Sequence, residues 1–376
     1  MLFIQHIICI CVLFIHCGQC LFVNDLKLEL VQVLFRHGQR TAQKNEVDLL
    51  INAKRSLYEF WGYGQLTNVG KQQAYRLGDM LRHKYSDFLG DAYKPEDVYA
   101  CSSEIDRTKV SLQLVLAALF PPMGKHVWNK NLKWMPIPIH FVPIELDILF
   151  NSLECSKFQE LRKNLMNRAE IKNLIAKYKD IIDLLNEKNS NVNFDMEMIF
   201  YINNLLNIQR TLNISQPEWY TPVIARKLND AAKLYLEINC YTPNMIRMNN
   251  GLTRRILENM DLNGTISNSY KIHLFSGHEF NIYAFAKGHS ITLEEIPGYS
   301  SSFIVEKYRN NHDKVFVKIY MWTGQTEELK LIKLKKCKEY CPIDNYQILV
   351  NDFLPSNDEM HCMYKNLSIT NLQRFL

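Results

Sequence analysis

Three short segments concentrate side chains that could do chemistry: LFRHGQRT at 34–41, SSEIDRT at 102–108 and SGHEF at 276–280. Between them they hold three arginines (Arg36, Arg40, Arg107), two histidines (His37, His278) and the carboxylate Glu279 beside the second histidine. Singly, each has a plainer reading. RHG can hold a structural histidine, DR can cap a helix with a solvated arginine, and GHE can be a turn histidine beside a surface acid. Together they describe something else. Two guanidiniums flanking an imidazole oppose its protonation, which is costly unless an anion belongs there. Three guanidiniums offer planar donors suited to phosphate oxygens. A neutral His37 is then a nucleophile toward phosphorus. The arginines and His278 would stabilise charge on the equatorial oxygens. Glu279 would give a proton to the leaving alkoxide and later take one from water. This chemistry calls for no metal and no cofactor, and no HExxH, EF-hand, Walker or GxGxxG pattern stands out.

Such groups act together only if the fold brings them to one pocket. Each cluster follows a run that reads as a strand. LELVQVLF at 28–35 alternates and ends at Arg36. A short strand at 97–100 leads through SSEIDRT into the apolar helix KVSLQLVLAALF, and a strand at 271–275 meets SGHEF and then a helical NIYAFAKG. After the first strand comes GYGQLTNVGKQQAYRLGDMLRHKY, where Thr67 or Asn68 can cap a helix. Its apolar positions Val69, Ala74, Leu77, Met80 and Leu81 share a face. Further strands are expected at 315–320 and 329–334. From 140 to 250 the character shifts: Phe158, Leu161, Leu165, Ile171, Leu174, Tyr178, Ile181 and Leu185 recur at helical spacing, and 224–238 is a second helical candidate. The pattern predicts an α/β fold: a largely parallel sheet with helices on both faces, plus an inserted, mainly helical segment. In such sheets ligands bind at the carboxyl ends of strands, where the three clusters fall.

The 376 residues, 47% hydrophobic and 22% charged, suffice for one large domain or two moderate ones. A net charge of +5 is too mild to argue for a nucleic-acid partner. The lysines of ELKLIKLKKCK interleave with Leu329, Leu331 and Leu334, so they read as the solvated face of an edge strand rather than a polyanion patch. Residues 1–20 carry no Lys, Arg, Asp or Glu, and their apolar stretch at 2–15 is short for a membrane span. Gly18 and Cys20 follow, so a signal peptide cleaved near Cys20–Leu21 is expected in preference to an uncleaved anchor. No later stretch approaches the ~20 apolar residues that cross a bilayer. A secreted, soluble protein with no membrane partner is therefore expected. Secretion removes Cys9, Cys11, Cys17 and Cys20 from the ten cysteines and leaves Cys101, Cys155, Cys240, Cys337, Cys341 and Cys362. An even number in an oxidising compartment favours disulfides over a metal site, and Cys337-x3-Cys341 has the spacing of a small loop bridge. Asn213, Asn263 and Asn366 head glycosylation sequons.

In this order the segments resemble the histidine acid phosphatases of prostatic and lysosomal type. That family's pattern is RHGxRxP early, DR after a central strand and an HD dipeptide late; here it stands as RHGQRTA, SSEIDRT and SGHEF. WGYGQLTNVGKQQAYRLG is similar to the family's GFGQLT-type segment, and CPIDNYQILV matches near the C-terminus, so the resemblance runs from about residue 28 to 362. It implies His37 as nucleophile, Arg36, Arg40, Arg107 and His278 as phosphate ligands, and Glu279 as proton donor. It also implies an α/β core of 21–139 and 251–376 with a helical cap inserted at 140–250. Disulfides Cys155–Cys362 and Cys337–Cys341, a phosphate-monoester substrate and a destination outside the cell or in the lysosomal lumen follow from the same resemblance. Relatives of this type often pair as homodimers. A further family disulfide is missing, since Ser302 and the segment around Ile208 fall where its cysteines would be. Cys101 and Cys240 have no assigned partner and either pair with each other or stay free. Ala42 replaces the proline of RxP and loosens the turn. Phe280 adds bulk where small hydroxyl residues are usual, and Glu279 is one methylene longer than Asp. A displacement of about 1 Å can cost on the order of 10²-fold in rate. Two functions are thus expected: a secreted acid phosphatase working through a phosphohistidine, or a phospho-ligand-binding protein on the same scaffold with weakened or lost turnover.

Overall fold

Strand β1 (Lys27–Arg36) is apolar on both sides. Val31, Val33 and Phe35 point into one core and Leu30 and Leu34 into another. A strand buried on both faces belongs inside a sheet covered by helices. The computed structural model describes residues 25–363 except 51–54, 59, 190–191, 263–269 and 327, so the leader, Asn263 and Asn366 lie outside the described residues. Within them β1 runs parallel to β4 (Ile272–Gly277), in register from Val31 opposite Ile272 to Arg36 opposite Gly277. Beyond β4, also parallel, come β2 (Val98–Ser102) and the short β3 (His140–Phe141). The other edge of β1 takes antiparallel β5 (Ser302–Arg309), β6 (Val315–Trp322) and β7 (Leu329–Ile332), with β8 (Cys341–Pro342) also on β6. The order is β3-β2-β4-β1-β5-β6-β7. The sheet is therefore mixed, and its parallel part carries the three motifs. The lysines at 330, 333, 335 and 336 are exposed along and just beyond the outermost strand, β7.

One face is covered by α1 (Asn68–Leu89) and α2 (Asp106–Leu119), through Ala74, Leu77, Leu81, Leu112, Val115 and Leu119. Thr67 caps α1, its hydroxyl accepting from Gly70 N at 3.1 Å. Val69 stays 51% exposed, so the buried face of α1 begins a turn later than its sequence suggests. Between β3 and β4 lie α3 (Ser156–Met166), α4 (Ala169–Ala176), α5 (Lys179–Lys188), α6 (Met196–Thr211), α7 (Pro222–Asn239), α8 (Pro243–Asn249) and α9 (Gly251–Glu258). The second face of the sheet takes α9, α10 (Glu279–Gly288) and α11 (Ile343–Val350).

The apolar repeat from Phe158 to Leu185 is three helices rather than one. The chain leaves helical geometry at Arg168 (ψ 140°) and Tyr178 (φ −109°), yet Phe158, Ile171, Ile181 and Leu185 stay in one core. That core also takes in Ala42, Val47 and Phe280, so the helical insert packs directly against loops at the strand ends.

Cys155, just before α3, is bonded to Cys362, and Cys337 to Cys341. Cys101 and Cys240 are both buried and free, so they do not pair with each other. Asn213 is exposed. Among the described residues no helix is long and apolar enough to cross a membrane.

Candidate active site

The adjacent parallel strands β1, β4 and β2 end side by side, and the polar turns leave from there. His37 N donates to Gly277 O (3.0 Å) and Ser103 N to Ser276 O (3.1 Å), so the three motifs are stitched together through their backbones. The RHGQR turn is folded tightly onto the start of α1. A Cβ on Gly38 would stand 2.1 Å from Gly70 O, and one on Gly70 would stand 1.9 Å from Gln39 O, so neither place admits a side chain. Thr67 Oγ1 donates to Gln39 Oε1 (2.7 Å), which ties the GQLT segment to the same turn.

All six side chains singled out in the sequence meet here. His37 is buried, with its ring centroid 5.5 Å from that of His278. Its Nδ1 lies 2.7 Å from Gly38 O. A carbonyl only accepts, so Nδ1 carries the hydrogen and Nε2 presents its lone pair, which accepts from Arg107 Nε (3.1 Å). Burial, then the charges of Arg107 and Arg36, hold the His37 pKa well below the usual imidazole value. Burial and Arg107 likewise push His278 down to about 3, against a smaller opposing pull from Glu279. Both rings are therefore neutral at moderately acid pH. His278 Nε2 lies 3.0 Å from Ser103 Oγ.

Glu279 opens α10, and its Oε2 is 3.0 Å from Arg36 Nε, with both side chains buried. Burial alone would raise its pKa, but Arg36, Arg40 and His278 outweigh that and bring it down to about 2. Arg36 is held further by Pro297 O (2.5 Å) and by the Tyr299 ring, whose centroid is 4.2 Å from the guanidinium carbon. Arg40 makes a two-pronged contact with Glu46, NH1 to Oε2 and NH2 to Oε1, each 2.7 Å. Burial, then repulsion from Arg40, lowers Arg107 to about 10.

These findings meet an independent one: the family model "Histidine phosphatase superfamily (branch 2)" matches residues 27–321. The chain belongs to this superfamily. Along its length it is 35% identical to a venom acid phosphatase of Apis mellifera, covering 89% of this chain and 88% of that one. It is 30% identical to the prostatic acid phosphatase of Homo sapiens, over 90% and 89% of the two chains. In fold it is similar to the phytase of Citrobacter braakii, with a TM-score of 0.68 over 89% of this chain and 99% of that one at 15% identity.

In this histidine phosphatase the cationic turns face a cleft of about 320 Å³ under the helical insert. Arg40, Arg107, His278 and Glu279 line it together with Phe200, Tyr201, Tyr235 and Phe280. Phe280 belongs to the same core as the insert residues Phe200 and Tyr235. Asp147 is also in the lining, buried and pushed up to about 7 by that burial. Four residues with a part in this geometry were not singled out by sequence reading. Glu46 and Tyr299 hold arginines, Asn281 Oδ1 accepts from His278 N (2.9 Å), and Asp147 Oδ1 accepts from Phe150 N (3.0 Å) in the cleft wall. Only Asn281 lies close to a motif, three residues after His278.

Proposed function

We propose that this chain is a secreted acid phosphatase that hydrolyses phosphate monoesters through a phosphohistidine on His37. One observation carries the reading: Gly38 O fixes the hydrogen of a neutral His37 on Nδ1, which leaves Nε2 as a lone pair among three guanidiniums. The phosphoryl oxygens take the N–H groups of Arg36, Arg40 and Arg107, and His278 contributes as a neutral hydrogen-bonding ring. Nε2 attacks phosphorus, the ester P–O bond breaks, and the departing oxygen takes a proton from Glu279. Glu279, ionised again, then removes a proton from water; the hydroxide attacks phosphorus and His37 leaves neutral. Preorganised donors at the equatorial oxygens supply most of the acceleration in such a transfer. Secretion rests on the leader, glycosylation at exposed Asn213 and pairing as a homodimer go with the same reading, and relatives named as venom, prostatic and lysosomal enzymes support it.

The test is an acid-pH assay with a phosphorus-labelled aryl phosphate, quenched during turnover. Label should reside on His37, and His37→Ala should lose both label and hydrolysis. Undiminished hydrolysis by His37→Ala would rule the mechanism out. An inert wild type made active by Glu279→Asp would replace this reading with that of a phospho-ligand-binding protein.

A further inference from the structure

Glu46 has no motif around it, yet it is buried and both of its oxygens are bonded to Arg40 of the cradle. Its Oε2 accepts from Arg40 NH1 and from Gln43 N, both at 2.7 Å, and its Oε1 accepts from Arg40 NH2. Two of Arg40's nitrogens are thereby fixed, while its buried Nε has no hydrogen-bond partner among the described residues. We propose that Glu46 sets the charge of the cradle, so that the site takes phosphate monoesters as monoanions and receives from the substrate the proton that Glu279 passes to the leaving group. This rests on the reading given above.

The charges decide it. Three guanidiniums stand against the carboxylates Glu46 and Glu279, while His37 and His278 are neutral in acid, which leaves one net positive charge. The other groups facing the pair do not change this balance at acid pH. The Tyr299 ring lies over Arg36, burial holds the Tyr58 and Tyr201 hydroxyls above their usual pKa, and Asp147, pushed up to about 7, is protonated. Glu104 stands apart from the cradle: its Oε2 accepts from Ile144 N (2.8 Å), and among the described residues it makes no ion pair with the three guanidiniums. One positive charge balances a monoanion. A dianion would leave the site negative and, with Glu279 ionised against Arg36, would bring no proton for the alkoxide.

The proton count closes. The monoanion's P–OH proton moves to the Glu279 carboxylate as phosphate oxygens take over Arg36. Nε2 forms the P–N bond, the ester P–O bond breaks, and Glu279 returns that proton to the alkoxide. The products are a neutral alcohol, an ionised Glu279 and a phosphohistidine that keeps its Nδ1 hydrogen. The alkaline limb of kcat/KM reports free enzyme and free substrate. Because the free Glu279 titrates far lower, the limb falls at the substrate's second pKa, about 6 for a monoester and lower for an aryl ester.

The experiment measures kcat/KM against pH for wild-type protein with an aryl and an alkyl phosphate. Two alkaline limbs, separated by about the difference between the substrates' own second pKa values, support the proposal. Coincident limbs overturn it, whether near 7, where Asp147 titrates, or elsewhere. Absence of hydrolysis of either ester would instead sink the phosphatase reading. Inorganic phosphate then probes Glu46 itself. Glu46→Gln should tighten inhibition at pH 8 relative to pH 5 by about tenfold, the cradle having gained a charge, and Glu46→Asp should keep the wild-type ratio. An unchanged ratio in Glu46→Gln overturns the charge-setting role, because a merely structural loss weakens inhibition equally at both pH values. If Glu46→Gln fails to fold, the two-substrate comparison still decides.

Discussion

The two halves of the sheet both have buried central strands but do different work. In β1, β2 and β4 every strand runs the same way, so three turns distant in sequence leave from one edge and their cations converge. In β5, β6 and β7 the direction alternates, so successive connections appear at opposite edges and share no pocket. The antiparallel half still reaches the site once. Because β5 opposes β1, its beginning lies where β1 ends, which sets Pro297 and Tyr299 against Arg36. Chemistry in this molecule thus follows strand polarity more closely than burial.

The comparison predicts where substitutions will hurt turnover. The largest effect belongs to the parallel half. Glu279→Gln keeps the size of the side chain but removes the proton transfer we propose for it, and should lower kcat by about 10²–10⁴-fold. The loss should be smaller for an aryl ester, whose leaving group needs less help, than for an alkyl ester. Equal losses on the two substrates would remove Glu279 from the proton path.

How far the site could be read in advance follows the same division. Arg36, His37, Arg40, Arg107, His278 and Glu279 were legible because each belongs to a short polar segment that follows an apolar run, a local signal. Glu46 and Tyr299 were not. Their partners are fixed by folding, and KNEV and PGYS look like ordinary loops. Strand β5 was missed because Glu306 and Lys307 interrupt its apolar run. Both are nonetheless buried, Glu306 accepting from the Tyr85 and Tyr308 hydroxyls (2.7 and 2.8 Å) and Lys307 donating to Met260 O (2.7 Å). A buried charge with its partners in place is invisible to hydropathy. The turns that split the long helical repeat were hidden for the opposite reason, since the apolar period continues across Arg168 and Tyr178.

An intermediate effect is expected where the halves touch. The Tyr299 face against Arg36 is a cation–π contact, worth about 0.5–2 kcal/mol. Tyr299→Leu should therefore raise KM and the phosphate inhibition constant by roughly 2- to 30-fold, with kcat changed less. Tyr299→Phe keeps the ring and should stay close to wild type; a Phe variant as impaired as Leu would move the role from the ring to the hydroxyl.

The smallest effect on turnover belongs deep in the antiparallel half, and it separates chemistry from scaffolding most sharply. Ile319 in β6 is 1% exposed and packs in the core beneath α10 and α11. Ile319→Ala leaves a cavity there and should cost about 2–5 kcal/mol of stability, lowering the thermal midpoint. No strand end or cationic turn contains this residue, so kcat per folded molecule should match wild type below the transition. Its pH profile should coincide with wild type as well, because it faces none of the groups that titrate in the cleft. A fall in kcat as large as that of Glu279→Gln, at a temperature where circular dichroism shows the variant folded, would mean that the antiparallel strands tune the cradle through the sheet. The division drawn from strand polarity would then fail.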